Sequence, residues 1–302
     1  MAMKPNLIVA GTNKSGTTAL FRYLAAHPDV CASAVKETCY FLPLRYEKPI
    51  EPIETYERHF AQYAGERLVL ESTPGYYYGG AAVANEIART LPEVRVVLVF
   101  RDPVTRFYSF FNFMKWMQKI DGEMTASAYL DACLALSPRD FLDEDHAPFF
   151  GFEGGQYARY LDPWVDAFGD RLCITFFENL TQVPRDYLRK LAAFAEIDSA
   201  PFDTMAFTQE NRTRGFANVK LHAMALKAYG ATGPILNRSP AVKRLVRSVY
   251  NSINETAIDR QPYDEAATAE SLKGLYAEAI RDFRDRLFTL PESLVMGLVP
   301  SW

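Results

Sequence analysis

The sequence of 302 residues has few cysteines, and their spacing is typical of neither a metal site nor a disulfide framework. The four cysteines are Cys31, Cys39, Cys133 and Cys173. They form no CxxC pair, and they are too sparse for the disulfide framework of a small secreted domain. Reduced thiols are the simpler interpretation, and they predict a cytoplasmic protein.

Long apolar runs and a large net charge are also absent. No run approaches the roughly 18 residues of a membrane span, and no signal-like segment precedes the first apolar stretch. The formal net charge of −4 argues against a protein that coats nucleic acid or an anionic membrane. We therefore expect neither a membrane span nor a nucleic-acid partner, and any anion site must be local. The sequence carries no indication of oligomeric state.

Internal repeats and low-complexity tracts are missing as well, which favours one domain over residues 1–302. Apolar runs alternate with helical patterns, which predicts an α/β fold of three layers, a parallel sheet with helices on both faces. A long functional loop is expected over 202–218. The predicted strands span 6–11, 67–72, 94–100 and 171–176, and the predicted helices span 19–24, 81–91, 103–113, 153–168 and 264–290. Pro163 should kink or restart the helix over 153–168.

What is present is a small, polar loop, GTNKSGTT (11–18), between the first predicted strand and the first predicted helix. Such a loop turns backbone N–H groups toward one point at the helix N-terminus, which attracts an anion. A purely structural turn needs glycine alone, whereas this loop adds a lysine and hydroxyl groups. The candidate phosphate ligands are Lys14, Ser15, Gly16, Thr17 and Thr18.

The loop does not match the nucleotide triphosphatase pattern GxxxxGK[ST], in which lysine follows the second glycine. Here Thr17 follows Gly16, and Lys14 precedes that glycine by two positions. A kinase would also require a carboxylate for magnesium, and Asp102 is the only well-placed candidate. A P-loop kinase therefore stays open as an alternative.

Several motifs, in the same order along the chain, resemble those of sulfotransferases that use 3′-phosphoadenosine 5′-phosphosulfate (PAPS). GTNKSGTTALFRYLAAHPDV (11–30) is similar to the family's 5′-phosphosulfate loop and first helix. FRDPVTRFYSFF (100–111) resembles its 3′-phosphate segment, which implies that Arg101 and Ser109 hold that phosphate. The segment 153–180 and the closing SLVMGLVPSW are also similar to family blocks. The resemblance implies a P-loop-like fold, PAPS as donor and adenosine 3′,5′-bisphosphate (PAP) as product.

Residue chemistry supports the same donor. Arg101 follows a predicted central strand, and parallel α/β sheets bind ligands at the carboxyl edge of their strands. Ser109 falls about two helical turns after Asp102, on the face of the helix start. Two anion pockets on neighbouring strand ends suit a nucleotide with phosphate at both its 5′ and 3′ positions. An ordinary ion pair of Arg101 with a carboxylate is the alternative.

The segment VKETCYF (35–41) resembles the branch of the family that sulfates glycans, in which a glutamate deprotonates the acceptor. The resemblance assigns this role to Glu37, and a buried carboxylate near the transferring group could accept the hydroxyl proton. Lys14 would stabilise charge on the leaving phosphate oxygen, and neither role requires a metal. A solvated loop residue is the structural alternative for Glu37.

Two segments depart from the family pattern, the first in its expected acceptor contacts and the second near the donor phosphates. In ESTPGYYY (71–78), Ser72 stands where glycan-type members often have lysine. NRTRGF (211–216) resembles a segment with basic residues near the donor phosphates, so Arg212 and Arg214 are candidate donor contacts or members of a basic surface loop. The tyrosines of ESTPGYYY could line an acceptor cleft or pack in the core.

The sequence thus predicts a PAPS-dependent sulfotransferase that transfers a sulfuryl group to a hydroxyl, or less readily to an amine. The acceptor would be a glycan or a small-molecule alcohol, and nothing in the sequence identifies it. A P-loop kinase and a non-catalytic nucleotide-binding protein on the same fold are the two alternatives.

Overall fold

The computed structural model describes residues 3–207, the short strands Gly215–Phe216 and Glu255–Thr256, and residues 262–302, with side chains from 266 onward in the last segment. Its centre is a parallel sheet of five strands in the order β2-β3-β1-β4-β5. The strands are β1 Leu7–Gly11, β2 Val30–Ala32, β3 Leu68–Ser72, β4 Arg95–Phe100 and β5 Leu172–Phe176. β1 therefore lies between β3 and β4, and it pairs with both.

Nine α-helices lie in the part of the chain that the structure describes, joined by short 3₁₀ turns. The helices are α1 Thr17–Ala25, α2 Ile53–Glu57, α3 Gly80–Thr90, α4 Pro103–Trp116, α5 Ala126–Leu134, α6 Ala158–Phe168, α7 Phe177–Gln182, α8 Pro184–Ala195 and α9 Pro262–Thr289. No helix among the described residues is long and apolar enough to cross a bilayer.

Side chains of each strand alternate between two apolar cores, one on each face of the sheet. Ile8 of β1 and Leu98 of β4 point into the larger core, which α3, α4, α5, α6 and α9 cover. Val9 and Val97 point into the smaller core, which α1, α7 and α8 cover. Because both faces are covered, these strands read as continuous apolar runs. The predicted three-layer α/β fold is confirmed.

Local differences from the sequence prediction have simple causes. β2 was not predicted, because it has only three residues. The helix predicted over 153–168 begins at Ala158, since Glu153–Gly155 forms a 3₁₀ turn and Gln156 leaves it in a non-helical conformation. Pro163 lies inside α6 without ending it. Most of the loop predicted over 202–218 lies outside the described residues.

Candidate active site

The first residue of the loop after β1 is hydrogen-bonded to β4. Thr12 donates both its backbone N–H (2.8 Å) and its hydroxyl (2.9 Å) to the carbonyl of Val99. Its hydroxyl oxygen also lies 2.6 Å from that of Ser15. Because the Thr12 hydrogen is used toward Val99, Ser15 acts as the donor between the two hydroxyls. The structure thus places the Ser15 side chain as an internal brace of the loop.

Gly16 occupies the turn from loop to α1 and has no room for a side chain. Its φ of +80° is left-handed, and an added Cβ would lie 2.5 Å from the ring of Phe177. α1 begins at Thr17 with no side chain as its cap and no acidic residue in its first turn. The first-turn N–H groups of a helix have no acceptor within that helix. The start of α1, at Thr17 and Thr18, is therefore suited to an anion.

Lys14 extends its ammonium from this loop toward an aromatic ring of α4. The ammonium lies 4.1 Å from the centre of the Phe113 ring, a cation–π contact. Burial is the main reason that the pKa of Lys14 falls to about 8, and the positive charge of Arg101 adds to the effect. A lysine held this way gains a strong interaction with any anion that enters.

Arg101 follows β4 and reaches back to the same loop. Its Nη1 donates to the carbonyl of Lys14 (3.0 Å), and its Nε donates to the hydroxyl of Thr105 (3.2 Å). The Tyr157 hydroxyl donates to the Arg101 carbonyl (2.8 Å), which fixes the backbone there. Burial lowers the pKa of Arg101, although Glu178 opposes the shift. Arg101 makes no ion pair within 4 Å of a carboxylate among the described residues.

Ser109 lies on the face of α4 that looks toward Lys14 and Arg101. Thr105, Ser109 and Phe113 are spaced by four residues and so share one face of that helix. Thr105 contacts Arg101, and Phe113 contacts the ammonium of Lys14. The half-buried Ser109 is between these two contacts.

Glu37 lies in a turn after β2 that is fastened to the end of β3. Its backbone N–H donates to the Ser72 carbonyl (3.0 Å), and its φ is +67°. Its side chain is 49% exposed and pairs with Lys36 at 2.5 Å, so the expectation of a buried carboxylate is wrong. The cause is the left-handed turn, which directs the side chain outward. The Glu37 charge nevertheless raises the pKa of Lys14, against the larger effect of burial.

The strand order explains why these groups meet. β1 and β4 are neighbours, but the helix after β1 covers one face of the sheet and the helix after β4 covers the other. Chain connections that diverge in this way open a crevice at the carboxyl edge, where α/β proteins bind ligands. Lys14 and Arg101 lie there. Arg212 and Arg214 lie outside the described residues.

Three charged residues near the site were not assigned from sequence. Glu71 of β3 is fully buried, and Lys36 pairs with Glu37. Arg106 of α4 is also fully buried and donates to the Gly151 carbonyl, while its Nε and Nη1 have no partner in the described part of the protein. All three lie in quoted motifs. A role for Glu71 and Arg106 could be suspected only from burial, which local sequence does not reveal.

The remaining candidates have structural roles. Asp102 caps α4, because its carboxylate accepts the Thr105 N–H (2.6 Å). Tyr76, Tyr77 and Tyr78 are buried in the larger core. Across the described ranges, no group of three or more His, Cys, Asp and Glu side chains is arranged to hold a metal ion.

The family model described as "Sulfotransferase domain" matches residues 4–228. The chain belongs to the sulfotransferase family. The match covers the loop after β1, the Glu37 turn and the Arg101 segment, and it confirms the resemblance seen in the sequence.

Two curated relatives show how far the similarity extends. The chain is 37% identical over 119 residues to the membrane-associated sulfotransferase kil1 of Dictyostelium discoideum, which is 38% of this chain and 24% of the relative. It is 26% identical over 259 residues to heparan sulfate glucosamine 3-O-sulfotransferase 3B1 of Mus musculus, which is 83% of this chain and 61% of the relative. The chain thus spans from about a quarter to three fifths of the length of these relatives.

A solved structure shares the fold. The crystal structure of a sulfotransferase from Alicyclobacillus acidocaldarius superposes with a TM-score of 0.59 at 21% identity. The superposition covers 76% of this chain and 92% of that structure. At this level of identity the likeness concerns the fold alone.

Proposed function

We propose that this protein transfers a sulfuryl group from PAPS to the hydroxyl of an acceptor, with Glu37 as the general base. The observation that carries the proposal is the hydrogen bond from Arg101 to the Lys14 carbonyl, because it brings two cationic residues from adjacent strand ends close together. A donor with phosphate on both sides of its ribose matches that pair better than a linear triphosphate does.

Donor binding would divide between the two strand ends. Lys14 and the first turn of α1 would receive the 5′-phosphosulfate, and Arg101 with Ser109 would receive the 3′-phosphate. Burial of both cations supports this division, since charge-assisted hydrogen bonds are strong where water is excluded. Ser15 would contribute through the shape of the loop.

The chemistry requires one proton acceptor and one stabiliser of charge. As the acceptor oxygen forms its bond to sulfur, its proton passes to the Glu37 carboxylate, and the bond from sulfur to the bridging phosphate oxygen breaks. The electron pair of that bond goes to the phosphate of PAP, where the Lys14 ammonium would oppose the developing charge. The exposed position of Glu37 supports this role, because an acceptor must reach it from solvent.

A glycan is the acceptor class that we favour. Several matched relatives carry heparan sulfate in their names, and some of these names also carry glucosamine. A small-molecule alcohol stays the alternative acceptor, and transfer to nitrogen is the less favoured reaction.

Three further predictions stay untested: transfer without a metal, a cytoplasmic location and the absence of a nucleic-acid partner. The four cysteines are free thiols, which supports the predicted location.

A P-loop kinase is disfavoured by the use of Asp102 as a helix cap, because that carboxylate is the magnesium ligand the kinase hypothesis requires. A non-catalytic nucleotide-binding protein would keep the donor site and transfer nothing. Binding of PAP in the presence of a metal chelator, together with transfer of labelled sulfate from PAPS to a panel of glycans and alcohols, separates the three functions.

The variant Glu37→Gln tests the base. We expect turnover to fall by about 100-fold or more, with PAP affinity within a few-fold of the wild type. Glu196→Gln is a matched control, since Glu196 is also exposed, ion-paired (to Arg95) and left-handed with φ +57°, but caps the end of α8. Full turnover in Glu37→Gln would assign the proton to another group.

A further inference from the structure

Beneath the turn that carries Glu37 lies a carboxylate that the proposed mechanism does not use. Glu71, in β3, has no exposed surface. Its Oε1 accepts two hydrogen bonds, one from the Thr38 hydroxyl (3.1 Å) and one from the Thr73 hydroxyl (2.5 Å). One of these donors belongs to the turn itself, and the other follows β3.

Two chains of hydrogen bonds run to this single oxygen, one from a backbone N–H group in the turn and one from a backbone N–H group just after it. In the first, the Cys39 N–H donates to the Thr73 hydroxyl (3.2 Å), which donates to Glu71. In the second, the Phe41 N–H donates to the Tyr76 hydroxyl (3.3 Å), which lies 3.2 Å from the Thr38 hydroxyl. Because Thr38 uses its hydrogen toward Glu71, Tyr76 donates to Thr38.

Both chains therefore require an acceptor at their end, and the carboxylate is that acceptor. A neutral amide in its place would put an NH₂ group at the position of Oε2, which is buried and has no partner among the described residues. Such an unpaired buried donor is unfavourable. The site thus provides donors for an acceptor at Oε1 and no acceptor for a donor at the position of Oε2.

The turn needs this support because its backbone is unusual. Glu37 and Cys39 both have left-handed φ angles, +67° and +58°, which residues with a side chain seldom adopt. Conformations of this kind persist only where neighbouring contacts determine them. Beyond the two chains, the described backbone contacts include the bond from the Glu37 N–H to the Ser72 carbonyl.

The charges around Glu71 come from several elements. Lys36 attracts it, and Cys39, Tyr56 and Tyr76 face it as neutral groups whose own pKa values its charge raises. Burial raises the pKa of Glu71 to about 7, against the hydrogen bonds from Thr73 and Thr38, which favour the charged form. The carboxylate is thus costly to keep at this position.

We propose that Glu71 is a positioning residue that fixes the turn of Glu37, Thr38 and Cys39 at the edge of the sheet, and that it acts on turnover through Glu37. The second half of this statement rests on the proposed function. The first half concerns the turn alone and can be measured without turnover.

The turn carries its own probe, because Cys39 is exposed while the other three cysteines are buried. Thr38→Val removes the hydrogen bond from the turn to Glu71 and the chain through Tyr76, without replacing a charged residue, so we expect alkylation of Cys39 in the PAP-free protein to accelerate several-fold. Thr175→Val is the control, since it removes the hydroxyl of a fully buried threonine in β5, away from the turn. It should leave the rate of Cys39 alkylation unchanged.

Turnover and PAP affinity are then measured for Thr38→Val and Glu71→Gln as folded proteins. We expect kcat to fall by about tenfold or more in each, with PAP affinity within a few-fold of the wild type. Unchanged alkylation of Cys39 in Thr38→Val would overturn the proposal, whatever happens to turnover. Faster alkylation with full turnover would support the role of Glu71 in the turn and would count instead against Glu37 as the base.

Discussion

The guanidinium of Arg101 donates a hydrogen bond to the main-chain carbonyl of Lys14, at a distance of 3.0 Å. A residue from the end of β4 thereby supports the loop that leaves β1, and it does so without neutralising its own charge. The same contact brings two cations close enough for Arg101 to lower the pKa of Lys14. Any anion that binds here relieves this repulsion, which is a reason for tight binding of a nucleotide with several charges.

Donor binding should depend on pH through Lys14, whose pKa is about 8. Under the proposed function the charged ammonium would bind PAP, so we expect affinity to be constant near pH 7 and to fall above pH 8, by up to about tenfold per pH unit. Lys14→Arg should remove this dependence, because arginine stays charged. Lys14→Ala should weaken binding at every pH and also slow transfer. Calorimetric titration with PAP from pH 7 to pH 10 measures the affinity of the wild type, Lys14→Arg and Lys14→Ala. A PAP affinity in Lys14→Ala equal to that of the wild type would contradict the assignment.

The 3′-phosphate assignment can be tested through Ser109, which lies between two residues that contact Arg101 and Lys14. Ser109→Ala should weaken PAP binding by roughly 1 kcal/mol, the net value of one hydrogen bond, and leave binding of adenosine 5′-monophosphate unchanged. The ratio of the two affinities is the measurement. An equal loss for both nucleotides would place Ser109 away from the 3′-phosphate.

Gly16→Ala should abolish PAP binding although the protein stays folded. The substitution places a Cβ 2.5 Å from the Phe177 ring at a left-handed φ of +80°, so the loop must move. Gly65→Ala is the control, because Gly65 also has a positive φ, +112°, but open space around it. We expect both variants to lower the melting temperature and only Gly16→Ala to lose PAP binding. Intact PAP binding in Gly16→Ala would exclude the loop as its site.

The buried carboxylate of Glu71 should make stability depend on pH. Its pKa rises from 4.5 in the unfolded chain to about 7 in the folded protein, so between these values the folded state binds more protons. The free energy of unfolding should therefore fall as pH rises from 4.5 to 7, by at most about 3 kcal/mol. In Glu71→Gln this part of the slope should disappear. Urea denaturation at pH 5 and pH 8 gives both slopes, and identical slopes would show that Glu71 does not titrate in this range.

Most of the sheet could be predicted from the sequence because buried parallel strands are continuously apolar. β1, β3, β4 and β5 follow the predicted runs to within about a residue, whereas β2 is too short for such a pattern. The predicted start of α6 is too early. Tyr157 continues the apolar spacing of the helix, but the preceding Gly154 and Gly155 form a 3₁₀ turn and not part of α6. Tertiary packing, and not periodicity, decides such boundaries.

The loop after β1 and Arg101 could be proposed as donor groups from the sequence because each lies within a short motif whose chemistry is local. Glu71 was missed although its motif was quoted, since its partner Thr38 is 33 residues away and only the fold brings them together. Burial of Glu71 and Arg106 is likewise a product of packing. Conversely, Glu37 was expected to be buried, and the left-handed turn that exposes it has no signature in VKETCYF.

In the strand order β2-β3-β1-β4-β5, the pair β2 and β3 lies next to the pair β1 and β4. Under the proposed function, the groups for the donor follow β1 and β4, and the base follows β2 on a turn supported by β3. The polypeptide after β2 and β3 could thus change during evolution, or be exchanged in the laboratory, to admit a new acceptor. The residues proposed to bind the nucleotide, after β1 and β4, would stay unchanged.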